Sequence, residues 1–199
     1  MIGKGLFITA IDTDIGKTVV SSILVERYNC NYWKPVQCGL LPQTDTQTVR
    51  QLTKATCFKE QYCFKTPCSP HKAARIENTE VNMDSIKLPD SSKKLIVEGA
   101  GGVMVPLNKK YFMIDLIKKL NLETIVVTKN YLGSLNHTFS TIALLKQYKI
   151  PIKGLIFNGE PDKDLENFIS ATSKVDILAR IPKVSKLDAQ QIQKLSLTV

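Results

Sequence analysis

The chain has 199 residues, 43% of them hydrophobic and 23% charged, with a formal net charge of +9. This is the balance of a globular protein, the length suits one domain over residues 1–199, and no apolar run approaches the ~18 residues that a membrane helix needs. Five cysteines, odd in number and without C-x-x-C spacing, and only two histidines argue against a disulfide framework, a zinc site and a His-rich metal site.

Short β-rich runs alternate with helical patterns along the chain. The strand "LFITA" (6–10) leads through a loop into "KTVVSSILVERY" (17–28), where Val20, Ile23 and Leu24 form a helical apolar stripe. A strand "YWKPV" (32–36) and a polar helix "DTQTVRQLTK" (45–54) follow. Residues 55–92, rich in Pro, Ser, Asn and Cys, read as loops with short helices. The strand "KLIV" (94–97) runs into a glycine turn, Gly99-Ala100-Gly101-Gly102. Then come a helix at 111–121, a strand "TIVVT" (124–128), a helix at 134–149 and a strand "KGLIFN" (153–158). A helix at 163–172, a strand "DILARI" (176–181) and a short C-terminal helix complete the chain. Strands without polar alternation, separated by helices, predict a mostly parallel sheet covered on both faces. The fold class expected is therefore α/β, doubly wound, with the functional site at the C-terminal ends of the strands.

The positive charge raises the question of nucleic acid or anionic membranes. The lysines are dispersed, however, with no basic run of five and no basic-aromatic interleaving. We therefore expect no nucleic-acid partner and no membrane partner, and a solvated basic surface with a site for small anions. Lys4 interrupts the apolar start, which reads as a chain without a secretory signal and points to a cytoplasmic protein.

The stretch "AIDTDIGKT" (10–18) ends like a phosphate-binding loop, but the usual spacing G-x-x-x-x-G-K-[ST] would require glycine where Ile11 stands. Its position between a strand and a helix is the context that motif needs. Amide groups at a helix N-terminus point at an incoming anion, and the helix dipole supports them. The residues Thr13, Asp14, Ile15, Gly16, Lys17, Thr18 and Val19 are thus candidates for nucleotide binding. Gly16 would permit close backbone approach, Lys17 would supply charge, and Thr18 would ligate Mg²⁺. The plainer alternative is a helix start with an incidental Gly-Lys-Thr. Glu98, closing the strand "KLIV", is a candidate for the acidic group that accompanies such loops. Asp45 is open between a second metal ligand and the N-cap of its helix. Lys34 is open between an anion contact at the crevice and a snorkelling lysine.

Taken in order, "IDTDIGKT", "YWKPVQCG", "TPCSPHKAA", "VEGAGGVMVPL" and "LGSLNH" resemble the dethiobiotin synthetase family over roughly residues 6–182. The family's loop resembles G-T-D-T-x-V-G-K-T, one residue longer than the ordinary loop. This sets Ala10 at the first glycine and Ile11 at its threonine, with Asp12, Thr13, Gly16, Lys17 and Thr18 retained. The resemblance implies a phosphate-loop NTPase-like fold and a homodimer. It also implies an ATP- and Mg²⁺-dependent cyclo-ligase that converts 7,8-diaminopelargonate and CO₂, or bicarbonate as its source, to dethiobiotin. By the same resemblance Lys34 and Lys17 are catalytic, and Thr18, Asp45 and Glu98 hold metal. Gly99, Gly101, Gly102 and Val103 line the diamine pocket with Lys34 and Cys38. Gly133, Ser134, Leu135 and Asn136 of a second subunit meet the distant carboxylate, although Ser134 and Asn136 also suit ordinary helix capping. Asn158 and Pro182 fall at the nucleotide's base.

Three departures stand out. Cys38 occupies a position where the family usually has serine, exchanging a good hydrogen-bonding group for a weak one and leaving a thiol expected to be reactive. The segment after "RIPKV" (180–184) is short for the family. Residues 55–92 match only around Pro67 to Ala74. The rival reading is a nucleotide-switch ATPase of the partition or site-selection type. Such proteins usually carry a further lysine early in the loop, where this chain has Ile11-Asp12-Thr13-Asp14.

Overall fold

The computed structural model describes residues 5–39 and 43–199. Lys4, used above in reading the N-terminus, lies outside the described residues. The chain order of strands is β1 (Gly5–Ala10), β2 (Asn31–Trp33), β3 (Val36–Cys38), β4 (Cys57–Phe58), β5 (Tyr62–Phe64), β6 (Leu95–Gly102), β7 (Glu123–Thr128), β8 (Ile152–Asn158) and β9 (Ile177–Ile181). Helices α1 (Lys17–Tyr28), α2 (Asp45–Leu52), α3 (Pro70–Ile76), α4 (Met113–Leu120), α5 (Ser134–Gln147), α6 (Lys163–Ser173) and α7 (Ala189–Ser196) lie between and after them.

Seven strands form one sheet in the order β4-β2-β6-β1-β7-β8-β9, with every neighbouring pair parallel. The alternating α/β order and this sheet are the expected fold class. The central strands contribute Phe7, Ile8, Ile96, Val97, Val126, Val127, Leu155 and Ile156 to the core, all fully buried. Consecutive apolar residues are needed there because helices cover both faces. β1 pairs with β6 on one side and β7 on the other, so the chain leaves β1 in opposite directions along the sheet. Crevices form at such a switch point, at the C-terminal ends of the strands.

Three expectations required correction. The strand expected at 32–36 divides: β2 ends at Trp33, and β3 begins at Val36 in a separate two-stranded parallel sheet with β5. Pro35 has no N–H to give to a ladder, so pairing stops and the chain turns out of the main sheet. Its carbonyl instead accepts from Gln61 and Tyr62, both at 3.0 Å. Residues 55–92, expected as loops with short helices, also hold β4 and β5. Strands of two and three residues are too short for an alternation pattern to develop. The glycine turn expected after "KLIV" is likewise the second half of β6, which continues to Gly102.

The C-terminal helix α7 is fixed at its start by Asp188, whose side chain accepts from the Gln191 amide at 2.9 Å. It packs on α1, with Ile192 fully buried and Leu195 nearly so. Removing the Ile192 side chain should therefore act on the helix that follows the loop. Ile192→Ala is expected to lower unfolding free energy by about 2–4 kcal/mol in urea titration. A loss well below ~1 kcal/mol would mean that α7 is not part of the cooperative core.

Candidate active site

A cavity of about 780 Å³ opens at the C-terminal ends of β1, β2 and β6. Its walls include Thr13, Asp14, Gly16, Lys17, Thr18 and Val19 from the loop and α1, Lys34, Gln37 and Cys38 from the β2–β3 segment, and Asp45 and Glu98. Pro67, Cys68, Ser69 and Pro70 close one side, with Ala100, Gly101 and Val105 opposite.

The loop begins as β1 ends. The Ile11 amide still pairs with the Val127 carbonyl at 3.2 Å, and Thr13 donates its amide to the Asp12 side chain at 2.7 Å. Ala10 lies in β1 and is not among the positive-φ residues, so its methyl group is accommodated without strain. Asp14 (φ 58°) and Gly16 (φ 94°) take left-handed backbone. At Gly16 any side chain would be both strained and blocked, since an added Cβ would lie 2.1 Å from Asn158 Nδ2. Asn158, at the end of β8, donates that amide to the Ile15 carbonyl at 2.8 Å. Because a carbonyl can only accept, the side-chain oxygen of Asn158 must face away from it. α1 then starts with no side-chain cap and no acidic residue in its first turn. Its amides are left to an incoming anion, as the sequence suggested.

Four charged groups meet beneath this helix end. Lys34 is only 4% exposed, and its ammonium lies 3.0 Å from Glu98 Oε1 while also pairing with Asp45. Burial opposes its charge, but Glu98 and Asp45 together hold the Lys34 pKa above the ordinary lysine value. Burial likewise acts to raise the Asp45 carboxyl; Lys34 outweighs it and keeps that group ionised below the usual range. The Thr18 hydroxyl reaches both acids, 2.9 Å from Asp45 Oδ1 and 3.0 Å from Glu98 Oε1. Lys17 donates to the Asp12 carbonyl at 3.1 Å. Burial, then the charge of Lys34, lowers its pKa to about 8.

Both acids are positioned by residues that the sequence reading passed over. Thr44, not Asp45, caps α2: its hydroxyl accepts from the Gln47 amide at 3.2 Å while the Thr44 amide donates to the Gln47 side-chain oxygen at 2.7 Å. The Asp45 side chain is thereby free to face the cavity. Gln37 accepts from the Asp45 amide at 3.3 Å and donates to the Cys38 and Gly39 carbonyls, tying β3 to the start of α2. Glu98, with no exposed surface, also accepts from the Tyr32 hydroxyl at 3.0 Å on Oε2. Burial first, and then the negative charge of Glu98, keep that phenol protonated and hence a donor. Tyr32 had only the sequence signature of a core aromatic.

Two carboxylates and one hydroxyl make an oxygen-only donor set, suited to a hard divalent cation such as Mg²⁺. That ion keeps several water or phosphate ligands and needs few from protein. Among the described residues no group of three or more His, Cys, Asp or Glu could form an all-protein cage. The donors present fit Mg²⁺ held jointly with a bound phosphate.

The other expected residues fall in different places. Gly101 lines the cavity in left-handed backbone (φ 63°). Gly102 and buried Val103 lie beside the cavity rather than in its wall, and Ala100 and Val105 are the residues that face it. Gly133, the left-handed N-cap of α5, stands outside the cavity with Ser134, Leu135 and Asn136. Ser134 is buried and accepts from the Tyr131 amide at 3.3 Å, while Asn136 is exposed. Pro182 is exposed beyond β9. Ile15 is buried and contributes its carbonyl to Asn158. The reactivity expected of Cys38 needs correction: burial pushes its thiol up to about 12, so it is un-ionised at neutral pH and a poor nucleophile.

Comparison with known proteins gives the same loop a family. A family described as an AAA domain matches residues 4–191. The ATP-dependent dethiobiotin synthetase BioD of Lawsonia intracellularis (strain PHE/MN1-00) is 41% identical over 192 residues, covering 96% of this chain and 94% of that protein. The enzyme of the same name from Cytophaga hutchinsonii is 42% identical over 193 residues, covering 95% and 93%. Among solved structures, a ParA family ATPase from Chlorobium tepidum TLS covers 98% of this chain and all of its own at TM-score 0.55, with 12% identity. The septum site-determining protein MinD of Pyrococcus horikoshii OT3, solved with Mg-ADP, matches at TM-score 0.53 and 15% identity over 96% of this chain and 93% of its own. At such identity the two ATPases share the fold alone. The full-length relatives decide the family: the chain belongs to the dethiobiotin synthetases and is a ligase of biotin biosynthesis.

Proposed function

We propose that this chain uses ATP and Mg²⁺ to carboxylate 7,8-diaminopelargonate with CO₂ and close the product to dethiobiotin. The observation that carries the reading is the buried lysine, Lys34, held between Asp45 and Glu98 beside an uncapped phosphate-type helix end. One amine of the substrate adds to CO₂ and loses a proton, giving a carbamate. A carbamate oxygen attacks the γ-phosphorus and ADP departs, leaving a carbamic–phosphoric anhydride. The second amine attacks the carbonyl carbon, phosphate leaves, and the ureido ring is closed.

This route asks little of the protein as a nucleophile and much as a charge template. The α1 amides and Lys17 would take the phosphates, and Lys34 would face the carbamate and the transferring group. Thr18, Asp45 and Glu98 would hold Mg²⁺, which when bound supplies charge neutralisation of the phosphates. Ala100, Gly101 and Val105 would pack the diamine's chain. The α5 start of a partner subunit, Gly133 to Asn136, with Gly133 and Asn136 exposed, would receive the diamine's far carboxylate, making the working form a homodimer. The free oxygen of Asn158 would accept from the exocyclic amine of adenine and meet the keto oxygen of guanine unfavourably. The chain is read as one domain acting in the cytoplasm; no helix among the described residues is long and apolar enough to cross a membrane.

The direct test is nucleotide hydrolysis by purified protein with Mg²⁺ and bicarbonate, with and without the diamine, dethiobiotin being followed by mass spectrometry. Diamine-dependent product with ATP well ahead of GTP is expected. Nucleotide turnover without diamine dependence would sink the reading.

Lys34→Ala is expected to lower turnover by about 10²–10³-fold, the scale of removing one charge-stabilising group from a closed site. Because it leaves buried Glu98 and partly exposed Asp45 with Lys17 as their one remaining nearby cation, it should also cost about 3 kcal/mol of stability in metal-free buffer, the low end for breaking a buried pair. Urea unfolding with and without Mg²⁺ checks this, since a cation held by the same oxygens should restore part of the loss.

Lys17 provides a pH signature. Its pKa in the free protein is about 8, and bound phosphate should draw it back toward the ordinary lysine value near 10.5. ADP binding should therefore take up as much as one proton between those limits, and none from this group well below pH 8. Affinity then falls, by up to tenfold per pH unit, as pH rises above 8. Calorimetry in two buffers of different ionisation heat would read the proton, and Lys17→Met should remove it.

A further inference from the structure

Glu98 is buried at the wall of the cavity, so each oxygen of its carboxylate needs a partner there. The division of partners is uneven. Oε1 receives both the Thr18 hydroxyl and the Lys34 ammonium, each at 3.0 Å, and so belongs to the polar centre of the cavity. Oε2 receives the Tyr32 hydroxyl at 3.0 Å. Tyr32 lies in β2 and Lys34 directly follows that strand, and Tyr32 pairs in register with Ile96 of β6, two residues before Glu98. The side chains of one face of two adjacent strands therefore clasp the carboxylate from both sides. The Tyr32 ring is fully buried and has no freedom to withdraw its hydroxyl.

We propose that Tyr32 is a positioning residue that engages one oxygen of Glu98, restricts the carboxylate to a single cation-facing oxygen, and thereby favours Mg²⁺ over larger divalent ions. The proposal rests on Glu98 being a metal ligand, as read above. Mg²⁺ demands a nearly octahedral shell at about 2.0–2.1 Å, which a carboxylate serves best through one oxygen. Ca²⁺ accepts six to eight oxygens and readily takes both from one carboxylate. A fixed donor on Oε2 opposes the second mode, whereas the Thr18 hydroxyl and the Lys34 ammonium on Oε1 face the cavity and can yield to a cation there. Partners of this kind set ligand orientation and typically change metal affinity by about 10–100-fold when removed.

The test is Tyr32→Phe, which deletes one oxygen and keeps the ring. Binding of Mn²⁺ to the full chain with ADP is read by electron paramagnetic resonance, and Mg²⁺ and Ca²⁺ are read by competition against it. Tyr32→Phe is expected to bind Mg²⁺ and Mn²⁺ about tenfold more weakly while Ca²⁺ binding holds or tightens. Selectivity then shifts at least tenfold toward Ca²⁺. Equal losses for all three ions would indicate a merely structural tyrosine and overturn the proposal, as would unchanged affinities. Glu98→Gln, run in parallel, separates the two readings. If it binds Mn²⁺ like the unaltered chain, Glu98 is no ligand and both readings fall. If it alone loses binding, only the role of Tyr32 falls. Should Tyr32→Phe not fold, infrared spectra of the unaltered protein with Mg²⁺ and ADP decide, the Glu98 bands being assigned by their loss in Glu98→Gln. A wide separation of the carboxylate stretches, typical of one-oxygen ligation, supports the proposal, and a narrow two-oxygen separation overturns it.

Discussion

The ammonium of Lys34, held between Asp45 and Glu98, is the interaction around which the site is assembled, because none of its three members could be buried alone. Taking a charge out of water costs several kcal/mol, and only well-placed opposite charges with further hydrogen bonds offset it. Each of the three therefore constrains a different part of the chain. Lys34 requires β2 to lie beside β6 and to end there, which Pro35 brings about. Asp45 requires a helix start whose capping is done by its neighbour Thr44, so that its own side chain is spare. Glu98 requires a donor on each oxygen, supplied by Thr18, Lys34 and Tyr32. The sheet order that inserts β6 between β2 and β1 is what lets these demands be met at one point.

The phosphate loop is joined to this cluster through Thr18, whose hydroxyl touches both acids while its backbone opens α1. The lengthened loop thus has two fixed ends. One is β1, where Ala10 remains an ordinary strand residue. The other is the turn into α1, where left-handed backbone at Gly16 leaves room for Asn158 to hold the Ile15 carbonyl. Lys17 and Lys34 balance Asp45 and Glu98, and Asp14 also stands in the wall, so the cavity holds no excess of positive charge before an anion arrives. The arrangement suits the transfer of a phosphoryl group, in which charge is redistributed more than created.

Much of this was legible from residue order. Strand–loop–helix context singled out Gly16, Lys17 and Thr18, and the run "KLIV" before Glu98 singled out the acid, although its strand continues to Gly102; the structure brings all four residues to the cavity. These signals are local, and local chemistry explains them. Tyr32 and Gln37 could not be found the same way, because their roles arise from partners 66 and 8 residues distant. A tyrosine in an apolar run is indistinguishable from a core residue until the carboxylate opposite its hydroxyl is known. The division of "YWKPV" was written in Pro35, but its consequence depended on β5, which is too short to give a pattern. The reactivity expected of Cys38 failed for a similar reason: a thiol's ionisation is set by burial, which the sequence does not state. The α5 start, Gly133 to Asn136, was assigned by resemblance alone and stands away from the cavity of its own chain. Its assignment depends on a second subunit.

The distribution of unfavourable features in the molecule follows from the same logic. Left-handed Asp14, an uncapped helix, two buried lysines and two shielded carboxylates all lie at the C-terminal ends of the strands. Away from the site, α4, α6 and α7 are held by Asp115, Asp162 and Asp188, each of which accepts an amide of its helix start, while Lys149 and Lys174 take left-handed backbone and α5 begins without a side-chain cap. An anion at α1 would satisfy its free amides, offset the burial of Lys17 and draw that lysine from the Asp12 carbonyl. The costs borne by the free protein are therefore of the kind that a bound phosphate relieves, and they gather where the site forms. A chain selected only for stability would have capped α1 with an acidic or hydroxyl side chain, as it does α2, α6 and α7. Leaving that end open, beneath a cluster that is neutral only as a whole, is the physical mark of a site shaped by its ligand.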